Sequence, residues 1–164
     1  MPNLVPVVFK VLMMTVASNR HLQTLCKNMQ VLSVLQGITF DWAITVYNNR
    51  TIEWNAFHYN NVRLLEDGHG GFHPKAYYQT RMTEKLTALN YDYVWLIDHD
   101  MDLTTFELLS FFQIIKTKRP IVIQAVNAGN DQDFWTLNWD TWQYDSRLSV
   151  RATYIEQQMP IVDW

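Results

Sequence analysis

Asp98, Asp100 and Asp102 stand two apart in the run YVWLIDHDMD, where an apolar stretch stops at a patch of negative charge. In extended backbone, residues two apart point the same way, so the Asp98 and Asp100 carboxylates can converge on one point. Two neighbouring carboxylates repel and raise each other's pKa unless a positive charge intervenes. A hard divalent ion, Mg²⁺ or Mn²⁺, removes that conflict; such ions complete their shell with substrate phosphate oxygens rather than a full protein cage. The implied chemistry is a metal-clamped diphosphate, with the ion as a Lewis acid for charge on the leaving phosphate.

Other uses of the motif fit less well. A calcium loop opening D-x-D-x-D needs Gly where Leu103 stands and a bidentate Glu where Leu109 stands, and it follows a helix. Asp102 and Thr104 are read as the cap of the next helix. A metallohydrolase site built from His99 with His58, His69 or His73 lacks the H-x-x-x-H spacing that puts two ligands on one helix face.

The aspartates need a strand to present them, and the sequence supplies a series of strands and helices. Val7–Ala17 is a dense apolar, β-branched run that reads as a buried first strand. Ser18-Asn19 offers helix-cap chemistry, and Leu22, Leu25, Met29, Leu32 and Leu35 follow at helical spacing until Gly37. Phe40–Tyr47 and Val62–Leu65 read as further strands, and Asp67–Pro74 as a loop. A helix over Lys75–Leu89 leads into the strand Tyr91–Ile97, apolar on both faces as a central parallel strand should be. A helix from Thr104 to Lys116, a break at Pro120, and strands at Ile121–Ile123 and Ser149–Ile155 complete the pattern. This alternation predicts an α/β fold with a doubly wound, mostly parallel, Rossmann-like sheet and helices on both faces. Such sheets bind ligands at the carboxyl ends of their strands, where Asp98 and Asp100 fall.

Composition narrows the classes. At 164 residues, 48% hydrophobic and 18% charged, the chain reads as a single folded domain, 1–164. Its net charge of -3 argues against a general nucleic-acid binder. One cysteine, Cys26, permits no internal disulfide and suits a reducing compartment. No apolar run approaches the ~20 residues of a membrane span. Lys10 and Pro6 spoil the N-terminal stretch as a signal sequence, so a cytoplasmic location is expected.

With its strand order and flanking helices, the stretch YDYVWLIDHD resembles the D-x-D region of GT-A-fold glycosyltransferases. The resemblance covers roughly Val7 to Asn127, with the aspartate motif its sharpest part. It implies a nucleotide-sugar-binding half over 1–127 and a partial acceptor-side region over 128–164. The implied reaction is metal-dependent transfer of a sugar from a nucleotide-diphosphate donor to a glycan or other hydroxyl. Asp98 would contact the ribose or the metal's water shell, and Asp100 would ligate the Mn²⁺ or Mg²⁺ directly. Thr15, Val16, Ala17 and Ser18 would line the base and ribose pocket, joined by Asn48 or Asn49, with Lys75 and Arg81 near the donor. The family usually continues beyond this length and draws a further metal ligand and much of its acceptor site from there, so the chain reads as truncated, as one domain of a larger protein, or as a minimal enzyme.

Within 128–164, Trp135, Trp139 and Trp142 alternate with Asp and Asn, a pattern suited to pyranose faces. Glu156 and Asp140 are the candidate general bases for an acceptor hydroxyl. Two other functions fit the same pattern. One is a non-catalytic domain that binds carbohydrate or nucleotide sugar. The other is a nucleotidyltransferase, although the first turn, TVASNRH, lacks the glycines that class commonly carries there.

Overall fold

The structure is a computed structural model and describes residues 9–47, 60–68, 73–124 and 160–163. Strand β1 (Phe9–Ala17) is buried at every position except Lys10, as its unbroken apolar run requires. A 3₁₀ turn (Asn19–His21) leads into helix α1 (Leu22–Ser33), whose buried stripe is Leu25, Asn28, Met29 and Leu32. Strands β2 (Ile38–Val46) and β3 (Val62–Asp67) follow, then helix α2 (Lys75–Leu86), β4 (Tyr93–Leu96), helix α3 (Leu108–Lys118), β5 (Val122–Gln124) and β6 (Pro160–Asp163).

The six strands lie in the order β3-β2-β1-β4-β6-β5. β1 pairs in parallel with β2 on one side and β4 on the other, and β3 adds in parallel to β2. β6 is antiparallel to both β4 and β5. The chain therefore builds outward from β1 to β3 and returns to the other side of β1 with β4. Helices cover both faces. α1 and α3 pack on the face bearing Val11, Met13 and Ala17, while α2 packs Tyr78, Met82 and Leu86 against Leu12, Met14 and Val16. This is an α/β architecture with a mostly parallel sheet.

Several element boundaries differ from the sequence reading. α2 ends at Leu86 rather than Leu89, and α3 begins at Leu108 rather than Thr104. Thr104 instead closes a local turn, giving its N–H and hydroxyl to the Asp102 carboxylate at 2.8 and 2.6 Å. α3 stops where Arg119 enters the left-handed region (φ 45°), its N–H closing on the Ile115 carbonyl at 2.9 Å just before Pro120. The expected strand Ser149–Ile155 lies outside the described residues, and β6 was not foreseen: IVD is too short to show a period.

At the sheet's amino edge, Asp41 of β2 is a buried carboxylate. Its Oδ2 accepts from Arg63 Nε and from the Tyr91 hydroxyl, each at 3.0 Å. A buried charge needs such partners, and here they come from β3 and from the lead-in to β4.

Candidate functional site

The carboxyl edge of β1 and β4 carries the candidate site, and its geometry follows from register. Met14 pairs with Leu96, and the Ile97 N–H continues the ladder to the Met14 carbonyl at 3.0 Å. Val16 and Asp98 thus each lie two residues past the last paired position. Alternation places Val94 and Leu96 on the α2 face, so Asp98 leaves the sheet on that face. There it meets Lys75, the first residue of α2, in an ion pair; both side chains are about one quarter exposed, at 26% and 28%.

Extension ends at this point. Met101 N–H returns to the Asp98 carbonyl at 3.2 Å, so 98–101 is a turn and not a continued strand. The convergence of Asp98 and Asp100 expected from period-two alternation is therefore not provided by the backbone; Asp100 is exposed on the turn. Among the described residues, no group of three or more His, Cys, Asp or Glu side chains is placed to hold a metal. The side chain paired with Asp98 belongs to a different chemistry: the Lys75 ammonium offers only N–H, which cannot ligate a cation. Among the described residues, Asp98 and Asp100 are not brought together as the aspartate spacing suggested, and Asp98 is paired with a cation instead.

His99, between the aspartates, turns back onto β1. Its Nδ1 lies 2.8 Å from the Val16 carbonyl, which can only accept, so Nδ1 carries the proton and Nε2 the lone pair. Burial, then the neighbouring His21, lowers the His99 pKa, partly offset by the Val16 hydrogen bond and by Asp100. The His21 ring packs edge-on at 4.2 Å between centroids, and Tyr47 at the end of β2 lies at 6.1 Å. His73, the other described member of the histidine set considered for a hydrolase, stacks on Tyr77 instead at 4.3 Å.

The acidic turn is held from the opposite face by Asn28 of α1. Its Nδ2 donates to the Met101 carbonyl at 2.8 Å, and its Oδ1 accepts from the Leu103 N–H at 2.9 Å. Sequence reasoning missed this residue. Its signal was present, for Asn28 is a polar position on the Leu25-Met29-Leu32 stripe, and a polar group there must find a buried partner.

The remaining expected residues divide clearly. Thr15, Val16 and Ala17 are buried, Val16 and Ala17 within the packing of the two faces, and the strand reaches the edge through backbone: the Val16 carbonyl takes His99 and the Ala17 carbonyl takes the Tyr47 N–H at 3.1 Å. Ser18 ends the extended segment (φ -117°, ψ 165°), so it follows Met14 and Val16 onto the α2 face. It is 5% exposed, caps nothing, and its hydroxyl has no partner among the described residues. Gln79, one turn after Lys75 on the same side of α2, is 7% exposed and its amide nitrogen is likewise unpartnered. Each buried donor left in this state costs about 1–3 kcal/mol. Arg81 does not reach the edge; its guanidinium lies over the Tyr77 ring, 5.8 Å from the centroid. Asn48, Asn49, Asp140 and Glu156, with Trp135, Trp139 and Trp142, lie outside the described residues.

A cleft of ≈ 380 Å³ opens between α2 and β4, lined by Ala76, Gln79, Thr83 and Leu96 among others. Its near end is therefore one residue from Lys75 and two from Asp98. No helix among the described residues is long and apolar enough to cross a membrane. Comparison with protein-family models, with curated proteins and with solved structures gives no match.

Proposed function

We propose that the chain binds a nucleoside-diphosphate sugar at the carboxyl edge of β1 and β4 and transfers the sugar to a hydroxyl acceptor, as a doubly wound glycosyltransferase of the GT-A type. One observation carries this reading. The Asp98-His99-Asp100 turn sits where the strand order reverses around β1, the crevice in which open α/β sheets bind their ligands. The order β3-β2-β1-β4 puts the ends of β1 and β4 on either side of that crevice.

In the transfer, the bond between the sugar's anomeric carbon and the diphosphate oxygen breaks, and its electron pair stays on the oxygen. The acceptor oxygen bonds to the anomeric carbon and gives up its proton to a base. Positioning of the donor and stabilisation of the departing diphosphate supply most of the rate. Lys75, which pairs with Asp98 at this edge, would serve the second task. Asp140 and Glu156 are the candidates for the base. No step is assigned to a divalent ion, because the donor set around Asp98 does not fit one.

Calorimetric titration with UDP, GDP, ADP, CDP and dTDP tests the donor site, and slow release of nucleotide from the matching sugar donor tests turnover. Binding with turnover supports the transferase; binding without turnover indicates a nucleotide-sugar-binding domain. A folded protein that binds none of the five refutes the reading.

A further inference from the structure

We propose that the edge binds the diphosphate of its ligand without a divalent cation, through the Lys75 ammonium and the buried donors of Ser18 and Gln79, with Asp98 serving to hold Lys75 in place. The ligand class follows from the nucleotide-sugar reading and rests on it; the absence of a metal requirement follows from the donors themselves.

Three features converge on this assignment. First, Lys75 occupies the first position of α2, where the helix dipole disfavours a positive charge. Asp98 compensates that charge from across the crevice. Second, Ser18 and Gln79 are more than nine-tenths buried with donors that have no partner among the described residues, and both belong to the side on which Lys75 meets Asp98. Gln79 lies one helical turn from Lys75, and Ser18 lies two residues past Val16, which is level with Asp98. A fold retains unpaired buried donors at a cost in stability, and a ligand rich in acceptors would satisfy them. Third, the ligand side matches: phosphate oxygens only accept, and they bind ammonium and N–H or O–H donors through charge-assisted hydrogen bonds. A metal ion would have to displace the Lys75 ammonium from the Asp98 carboxylate and sit beside that positive charge. Arg20, exposed on the 3₁₀ turn two residues after Ser18, adds a second positive charge beside the same strand end. Asp100 points its charge to solvent, where it is screened.

The test titrates inorganic pyrophosphate and the five nucleoside diphosphates into the protein in EDTA and again in Mn²⁺, with heats of ion–phosphate complexation subtracted. It uses wild type, Lys75→Ala, Asp98→Asn and Ser18→Ala, each checked for folding by circular dichroism. The expected result is binding in EDTA that Mn²⁺ leaves unchanged. Lys75→Ala should weaken it by about ten-fold or more, as loss of a charge-assisted contact implies. Asp98→Asn should weaken it less than Lys75→Ala does, since the carboxylate positions the ammonium and does not itself touch the ligand. Ser18→Ala should weaken binding while leaving thermal stability equal or higher, because it deletes an unpaired donor.

Binding that appears only with Mn²⁺, or that is lost in Asp98→Asn and kept in a folded Lys75→Ala, overturns the inference and leaves the donor reading standing. Metal-independent binding of pyrophosphate with no nucleoside diphosphate bound upholds the inference and removes the nucleotide reading. No binding of any probe removes both.

Discussion

Replacing Asn28 with Leu removes the two hydrogen bonds by which α1 holds the acidic turn, at nearly constant side-chain volume. The cost can be worked from burial. The Leu103 N–H sits in a buried setting and would be orphaned, for about 1–3 kcal/mol. The Met101 carbonyl is part-buried and can recover water, so its loss is closer to about 0.5–1.5 kcal/mol. Added apolar burial at position 28 offsets a fraction, leaving a net loss of roughly 1–4 kcal/mol. For a domain of this size that corresponds to a fall in Tm of roughly 2–15 °C. Urea melts of wild type and Asn28→Leu give the free energy directly, and an unchanged m-value would confirm that the denatured state is not the cause. A second readout is local: amide exchange at Leu103 should accelerate more than exchange in β1, because the turn loosens before the sheet does. A stability change below about 0.5 kcal/mol would refute the argument, since surface substitutions alone reach that size.

Two further outcomes follow from the same geometry. Gly68 follows β3, and there an added Cβ would stand 3.0 Å from the Tyr47 Cα and 3.2 Å from the Tyr78 ring. The Tyr47 contact is backbone and cannot swing aside, so Gly68→Ala should destabilise by about 1–3 kcal/mol in a denaturant melt, whereas an unshifted midpoint would mean that the β2–β3 edge yields. The Asp102 carboxyl is held below its ordinary range by the Thr104 hydroxyl and N–H. A depressed folded pKa adds stability that is present above the unfolded value, about 3.9, and is lost as pH falls through the lower folded value. Melts of wild type and Asp102→Asn between pH 6 and pH 2 should therefore show a wild-type advantage that shrinks below about pH 4; an advantage that persists into acid would contradict the sign.

What the sequence determined is local and periodic. β1 was legible because an apolar run buried on both faces leaves no polar face to hide, and α1 because its leucines and Met29 recur at helical spacing. The acidic turn at a strand's carboxyl end was legible for the same reason: Trp95 and Ile97 are core residues, and the charge has to begin where the core stops.

Pairing was not legible. The order that sets β4 beside β1 and inserts antiparallel β6 between β4 and β5 depends on contacts between segments far apart in sequence, and the four residues of β6 carry no period that could announce them. The site shows the same division. Sequence spacing placed Asp98 and Asp100 together by assuming extended backbone, but the chain turns at Asp98, and only the fold brings Lys75 from another element onto that carboxylate. Ser18 and Gln79 are ordinary polar residues in the sequence; burial without a partner among the described residues is a property of packing, because it depends on which neighbours the fold brings to the donor. The sequence by itself determined that a charged cluster would end a central strand. Tertiary structure decided which charge stands opposite it, because Lys75 comes from another element far away in the sequence.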